Sequence, residues 1–346
     1  MPSKLMAESN RYKAQLKSLA KDGKVTKAEV NALVREAKNG SFTEVKAHYL
    51  IGFLAHYGDT FAPGARAALT QFVKSDMKAY ARIEGETGGP AKSGQPAITT
   101  TDIHGGEVEY AKRAGKVQVG GFGLDDPMQG SLGDCYLLSS LSAVAQTHPE
   151  LLKNAITTNR DGTYTVTFFE REDMSKPAHP ERITVDGKFA MKAGEFAYAS
   201  ARETKELWPQ IFEKAYAAWK GSYGKTEGGM GAAALEALTG VKPGFTLIAP
   251  SMSAAEVFKA VKAAVASGGC AVTLSQPYGK PEKGMIADHA YTLLGAEEKN
   301  GQQLVRIRNP WGSMEPGADG KDDGIFTLKI EKYMQAFTMI EFVHPA

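Results

Sequence analysis

The sequence predicts an α+β protein in which a small all-helical domain precedes a helical lobe and then a sheet-rich lobe. Three observations carry this prediction. Apolar residues recur at three- and four-residue spacing through residues 1–83. Gly, Pro, Ser and Thr dominate residues 84–117, where no periodicity survives. From 118 onward an apolar-striped helix is followed by strand-like runs, further helices and a closing group of strands. The domains are therefore read as 1–83, a linker at 84–117, a first lobe at 118–230 and a second at 231–346.

The helical domain rests on "YKAQLKSLA", "VNALVREA", "VKAHYLIGFLAHY" and "ARAALTQFVKSDMKAYARI". Capping boxes mark two helix starts, Thr26 with Glu29 and Ser41 with Glu44. The stretch "SLAKDGKVTKAEV" has the outline of an EF-hand loop, with Gly23 at the turn, Val25 at the central apolar place and Glu29 as last ligand. Ser18 and Ala20 stand where the first carboxylates belong, so a helix–turn–helix packing unit is the better reading. The linker is expected to be exposed and easily cut. Next, a helix starts at Cys135 in "CYLLSSLSAVA", with Leu137, Leu138, Leu141 and Val144 on one stripe. Strands follow in "TYTVTFFE" and "RITVDGKFA". Helices are predicted over residues 204–220, after the Gly-rich turn of "GGMGAAALEALTG", and in "SAAEVFKAVKAAVASGG". The strands "CAVTLSQ", "AYTLLGAEE", "QQLVRIRN" and a short one near "GIFTLKI" complete the chain.

Composition bounds the function. The 346 residues are 42% hydrophobic and 23% charged with a net charge of +2, so no strong field points to nucleic acid or an anionic membrane. No window approaches a membrane span. Cys135 and Cys270 lie in different segments and suit a reducing compartment. The polar N-terminus lacks the apolar core of a signal peptide. A cytoplasmic location, or export without a cleaved signal, is expected.

Cys135 would sit at the first turn of its helix, where free N–H groups and the helix dipole favour a thiolate. A cysteine nucleophile needs a base, and the base needs something to orient it. Of seven histidines, His289 opens a strand that leads through Asn300-Gly301 into a second strand ending on Asn309-Pro310-Trp311. A hairpin there brings His289 and Asn309 to the same end of the sheet, with Trp311 shielding their hydrogen bond. A strict two-residue loop would place the two on opposite faces. The sequence therefore predicts a longer loop or a β-bulge in this hairpin. Cys270 reads as a core residue.

With these residues in view, the sequence resembles the protease core of the calpain family. "QGSLGDCYLL", "ITVDGKFA", "ELWPQIFEKAYAAWKGSYG", "DHAYTLLGAEE" and "LVRIRNPWG" match family motifs in the family's order, over about residues 118–345. The resemblance implies a papain-like two-lobe cysteine protease that cuts proteins or peptides and needs no cofactor. Cys135 would attack the peptide carbonyl, His289 would move the proton, Asn309 would orient His289, and the Gln129 amide would help hold the oxyanion. Gly228 would lie at a backbone contact with substrate.

Three departures from the family matter. Tyr136 replaces a Trp. Asp288 replaces a Gly before the histidine, which predicts a preference for Lys or Arg near the cut unless the carboxylate points to solvent. Calcium is the third. The resemblance implies a modulating site at Gly121, Asp126 and Glu206. A second site at Glu315 and Asp323 is damaged by a short loop and by Ile325 in place of a family Glu. Residues 1–83 would serve either as an inhibitory pro-segment released by self-cutting in the linker, or as a module for a partner or delivery factor. The alternative to an active protease is a latent or inactive calpain-like domain acting as a binding module or delivered effector.

Overall fold

A computed structural model of the protein describes residues 4–39, 42–77, 94–98, 107–172, 175–317 and 320–346. The N-terminal helices are α1 (Lys4–Leu19), α2 (Lys27–Lys38), α3 (Glu44–His56) and α4 (Ala65–Ser75). They form two helix–turn–helix units joined by one bridge between Val25 and Phe61. The Val25 N–H donates to the Thr60 carbonyl, and the Ala62 N–H to that of Val25. The Thr26–Glu29 capping box is present. It uses the Glu29 carboxylate, which accepts from the Thr26 backbone and hydroxyl at 2.7 Å each. The last carboxylate of the loop is thus committed to a cap. The start of α3 differs from expectation. Its cap is Thr43, whose side chain accepts from the Lys46 N–H, while Ser41 lies outside the described residues.

Residues 84–93 and 99–106 of the expected linker also lie outside the described residues. The rest of that segment is not free chain. Strand β1 (Glu109–Lys112) pairs with β6 (Lys188–Lys192), which continues to β7 (Glu195–Phe196). The Gly94 N–H donates to the Thr184 carbonyl, and Lys116 bridges Glu206. Four residues are too few for a period of two to show in a Gly-rich stretch, so the strand escaped the sequence reading.

The helical lobe is built on α5 (Cys135–Thr147), α6 (Pro149–Ala155), α7 (Trp208–Lys220) and α8 (Gly231–Thr239), the last lying past the expected boundary at 230 because Ala234, Leu235 and Leu238 join the apolar cluster of α5 and α7. These pack on the sheet β3 (Ile156–Thr158), β4 (Tyr164–Glu170) and β5 (His179–Val185). A two-stranded ribbon, β2 (Pro127–Met128) with β8 (Ser200–Ala201), flanks the segment before Cys135. Helix α5 is buried all round from Tyr136 to Ala145, beyond its leucine stripe. A helix with no wet face must satisfy its polar side chains internally. Ser139 Oγ donates to the Ala290 carbonyl at 3.1 Å, and Ser140 Oγ to that of Tyr136 at 2.7 Å.

The sheet-rich lobe holds β9 (Gly244–Leu247), α9 (Ala254–Val265), β10 (Cys270–Ser275), β11 (Ala290–Lys299), β12 (Gln302–Arg308), β13 (Ile325–Lys329), α10 (Ile330–Ala336) and β14 (Phe337–Val343). Its six strands run β13-β12-β11-β10-β14-β9, each pair antiparallel. Helix α10 and the central strand β14 are additions to the sequence reading. The buried run of β14 shows no alternation, because it is covered on both faces. Glu341 in β14 accepts from the Gly231 N–H at 3.0 Å and so pins the start of α8 to the sheet. Cys270 is buried in the core, as expected. One apolar cluster unites Leu50, Phe53 and Phe72 of the N-terminal helices with Phe245, Leu247, Leu274 and Met339 of the sheet.

Candidate active site

The hairpin between β11 and β12 resolves the parity problem. Its loop is the two-residue Asn300-Gly301, with φ of 51° and 72° as a type I′ turn requires. On the turn side Lys299 pairs with Gln302 and Gly295 with Arg306; on the site side Leu293 pairs with Ile307 and Thr292 with Arg308. Leu294 is the extra residue of a β-bulge. The bulge shifts the register by one, which brings His289 and Asn309 to a common face. The two meet, with His289 Nε2 3.1 Å from Asn309 Oδ1. Asn309 is fixed in turn. Its Oδ1 accepts from the Trp311 N–H, and its Nδ2 donates to the Met314 carbonyl, each at 3.1 Å. The Trp311 ring lies 5.3 Å from that of His289 and Tyr291 covers another side at 4.9 Å, so water is kept from the pair.

Cys135 is the first residue of α5, and the N–H of Ala290, next in chain to His289, donates to its sulfur at 3.4 Å. The helix is tied to the histidine strand by Thr292 Oγ1, which donates to the Ser139 carbonyl at 3.0 Å. Desolvation opposes the thiolate that a helix start favours. Burial pushes the Cys135 thiol up to about 12; the Ala290 N–H opposes this and the charges of Asp134 and Asp288 add to it. Burial pulls His289 down to about 4 against the Asn309 hydrogen bond and the Asp288 charge. Burial thus disfavours the charged form of each group taken singly.

Gln129 lies on the approach to Cys135. Its backbone N–H donates to the Pro310 carbonyl at 2.9 Å, and its Nε2 to the Leu132 carbonyl at 2.7 Å. One amide hydrogen therefore holds the loop and the second is left for another acceptor. Gly228 is exposed with φ of 75°, and its N–H donates to the Gly133 carbonyl at 2.9 Å, two residues before Cys135. Tyr136 faces this loop. A Cβ at Gly229 would lie 2.2 Å from the Tyr136 ring, so the aromatic residue after the cysteine needs glycine beside it.

Asp288 corrects the sequence reading. It stays partly exposed, with its side chain 32% accessible, but it is not free in solvent. Its carboxylate turns to the N-terminal helices, where Lys13 Nζ lies at 2.5 Å, His48 Nε2 at 3.4 Å and Tyr49 OH at 3.5 Å. Burial alone would raise it, but the His48 hydrogen bond, with the charges of His48 and Lys13, brings it down to about 2. Arg308 was missed by sequence reasoning, because nothing local marks a strand arginine as buried. It donates to Ser142 Oγ at 3.0 Å and to the carbonyls of Asp125 and Pro127 at 3.0 and 2.8 Å, joining the two lobes.

At the expected calcium site, Glu206 is fully buried, and its Oε1 accepts from the Val119 N–H at 2.6 Å. Its Oε2 is buried without a hydrogen-bond partner. Asp126 Oδ2 accepts from the Gly123 N–H at 2.5 Å and the Trp208 indole at 3.2 Å. Burial, then the charge of Asp126, raises Glu206 to about 7, and burial raises Asp126 as well. Gly121 turns the chain beside them with φ of 126°. Two crowded carboxylates with an unsatisfied oxygen fit a hard cation. Glu315 and Asp323 lie along the loop that follows Asn309. There the Asp323 carboxylate accepts from the Ile325 N–H at 2.9 Å.

Residues 108–320 match the family profile described as calpain family cysteine protease. The chain is 29% identical over 214 residues to the calpain-2 catalytic subunit of Homo sapiens, which covers 57% of this chain and 29% of that protein. It is 30% identical over 267 residues to a thiol protease of Porphyromonas gingivalis, covering 64% of this chain and 55% of that protein. The chain spans less than two thirds of the length of either relative.

Proposed function

Because the chain belongs to the calpain family of cysteine proteases, we propose that it is an endopeptidase cutting protein substrates with Cys135, His289 and Asn309. The observation that carries this reading is the His289–Asn309 hydrogen bond beside a sulfur held by the Ala290 N–H. Asn309 Oδ1 accepts from Nε2–H, which leaves the Nδ1 lone pair as the base. Nδ1 takes the thiol proton as sulfur bonds to the peptide carbonyl carbon. The Cys135 backbone N–H and the free Gln129 amide hydrogen meet the oxyanion. As the C–N bond breaks, Nδ1–H protonates the leaving amine, and water then hydrolyses the thioester. Gly228 offers exposed backbone to the substrate, and Trp311 walls the cleft.

Calcium enters as a modulator. Asp126 and Glu206 would hold it beside Gly121, and it would supply the positive charge their pairing lacks. Arg308 bonds the neighbouring Asp125 and Pro127 carbonyls, so order in this loop reaches the strand that ends at Asn309. A second reading, a latent domain that binds without cutting, draws on the burial that disfavours charge on both Cys135 and His289.

Cleavage of fluorescein-labelled casein by wild type and Cys135→Ala, each with calcium and with chelator, tests the proposal. Cutting by wild type alone is expected, faster with calcium, and intact mass in the same tubes reports any self-cutting within 84–117. Wild type inert in every condition would favour the latent reading.

A further inference from the structure

The loop that carries His289 is gripped from outside the protease lobes. Asp288 has φ of 55°, a left-handed conformation that side chains other than Asn and Asp rarely take. Its backbone is held on one side by the Gln276 carbonyl, which accepts from the Asp288 N–H at 3.0 Å. The next N–H, that of His289, donates to Ser275 Oγ at 3.0 Å. Its carboxylate is held on the other side by Lys13 of α1 and His48 of α3.

The grip is built rather than casual. The Lys13 ammonium sits over the rings of Tyr49 and Tyr278 at 5.5 and 5.7 Å, and its side chain is 20% exposed. The His48 side chain is 3% exposed, and its Nδ1 is anchored on Thr338 Oγ1 of β14 at 2.5 Å. The other ring nitrogen, Nε2, faces the Asp288 carboxylate at 3.4 Å. Helix α3 lies directly on the loop, because a Cβ at Gly52 would come within 2.5 Å of Pro277 Cγ. The groups facing Asp288 are thus Lys13, His48, Tyr49 and Tyr278, with Cys135 and His289 on the protease side.

We infer that Lys13 and His48 are positioning residues for His289: through Asp288 they hold the left-handed turn that aims the imidazole at Asn309 and Cys135. The inference rests on His289 being the catalytic base. It makes the N-terminal helices part of the active centre, so their removal would disable the site rather than release it.

The test compares Lys13→Met and His48→Gln with wild type in the full chain. Two readouts are used: kcat and KM on labelled casein, and the hydrogen-bonded ring N–H signal of His289 in NMR spectra of protein labelled with nitrogen-15 histidine. Each variant is expected to lose about tenfold in kcat at constant KM, within the range a misplacement of about 1 Å can cost. The His289 signal should broaden, and Lys13→Arg should restore both signal and kcat. Glycine takes a positive φ without steric cost. In the Asp288→Gly background, then, Lys13→Met should add nothing further. Lys13→Met and His48→Gln matching wild type in kcat and ring signal, while wild type cuts casein, would overturn the inference and leave the protease reading standing. An equal loss from Lys13→Met in both backgrounds would also overturn it. Wild type that cuts nothing would sink the protease reading instead, and the ring signal would still decide the positioning role.

Discussion

At the scale of single residues, the chemistry turns on how burial sets Cys135 and His289. With the thiol pushed up to about 12 and the imidazole down to about 4, burial works against a standing ion pair between pH 5 and 9. Alkylation of Cys135 by iodoacetamide should therefore climb through that range, about tenfold per pH unit, as the thiolate fraction does. A plateau at mildly acid pH, seen in the mass of the Cys135 peptide, would contradict this. Asn309→Ala frees the ring and is expected to lower kcat by about 10²–10⁴-fold, by analogy with other orienting residues. Gln129→Ala removes an oxyanion donor and should cost about 10²–10³-fold in kcat. The meeting of His289 with Asn309 and the place of Cys135 at a helix start were legible in the sequence, because each stands in a local motif. The partners of Asp288 were not. Lys13 lies 275 residues away, and no periodicity or turn signal links a lysine on one helix to a carboxylate on a distant loop.

At the scale of elements, the β11–β12 hairpin shows what sequence parity can and cannot decide. The Asn-Gly turn and the demand that His289 meet Asn309 required an extra residue, but nothing in "AYTLLGAEE" marks Leu294 as that residue. Deleting Leu294 would restore one register from the turn to the site and send His289 and Asn309 to opposite faces. Casein cleavage should then be lost while the turn itself remains. Helix α10 and strand β1 escaped the sequence reading because seven and four residues are too short for a period to declare itself. Strand β14 escaped because burial on both faces erases alternation, and its buried Glu341 breaks the apolar run. That glutamate caps α8, which explains its place inside a sheet.

At the scale of the whole molecule, burial raises several acids above their ordinary values. Burial raises Asp134 to about 8, where it shares its surroundings with Glu213, and raises Glu206 and Glu341 to about 7. The fold then binds more protons than the unfolded chain between pH ~4 and ~8. The stability these acids contribute is full below about pH 4 and is lost as pH rises through 7 to 8. Asp288, held near 2, works in the opposite sense: its contribution is present above about pH 4 and lost as pH falls toward 2. The thermal unfolding midpoint should therefore be higher at pH 6 than at pH 9. Calcium should raise the midpoint at pH 8 through Asp126 and Glu206, and Glu206→Gln should remove that gain. A midpoint that rises steadily from pH 6 to 9 would contradict the raised acids.

The nucleophile is the centre of the account, and the two cysteines allow a direct test of it. Wild type is titrated with iodoacetamide while casein cleavage and the masses of the Cys135 and Cys270 peptides are followed together. Cleavage should fall in proportion to Cys135 modified, with Cys270 protected in the core. Full activity with Cys135 modified, or loss that follows Cys270 alone, would contradict the account.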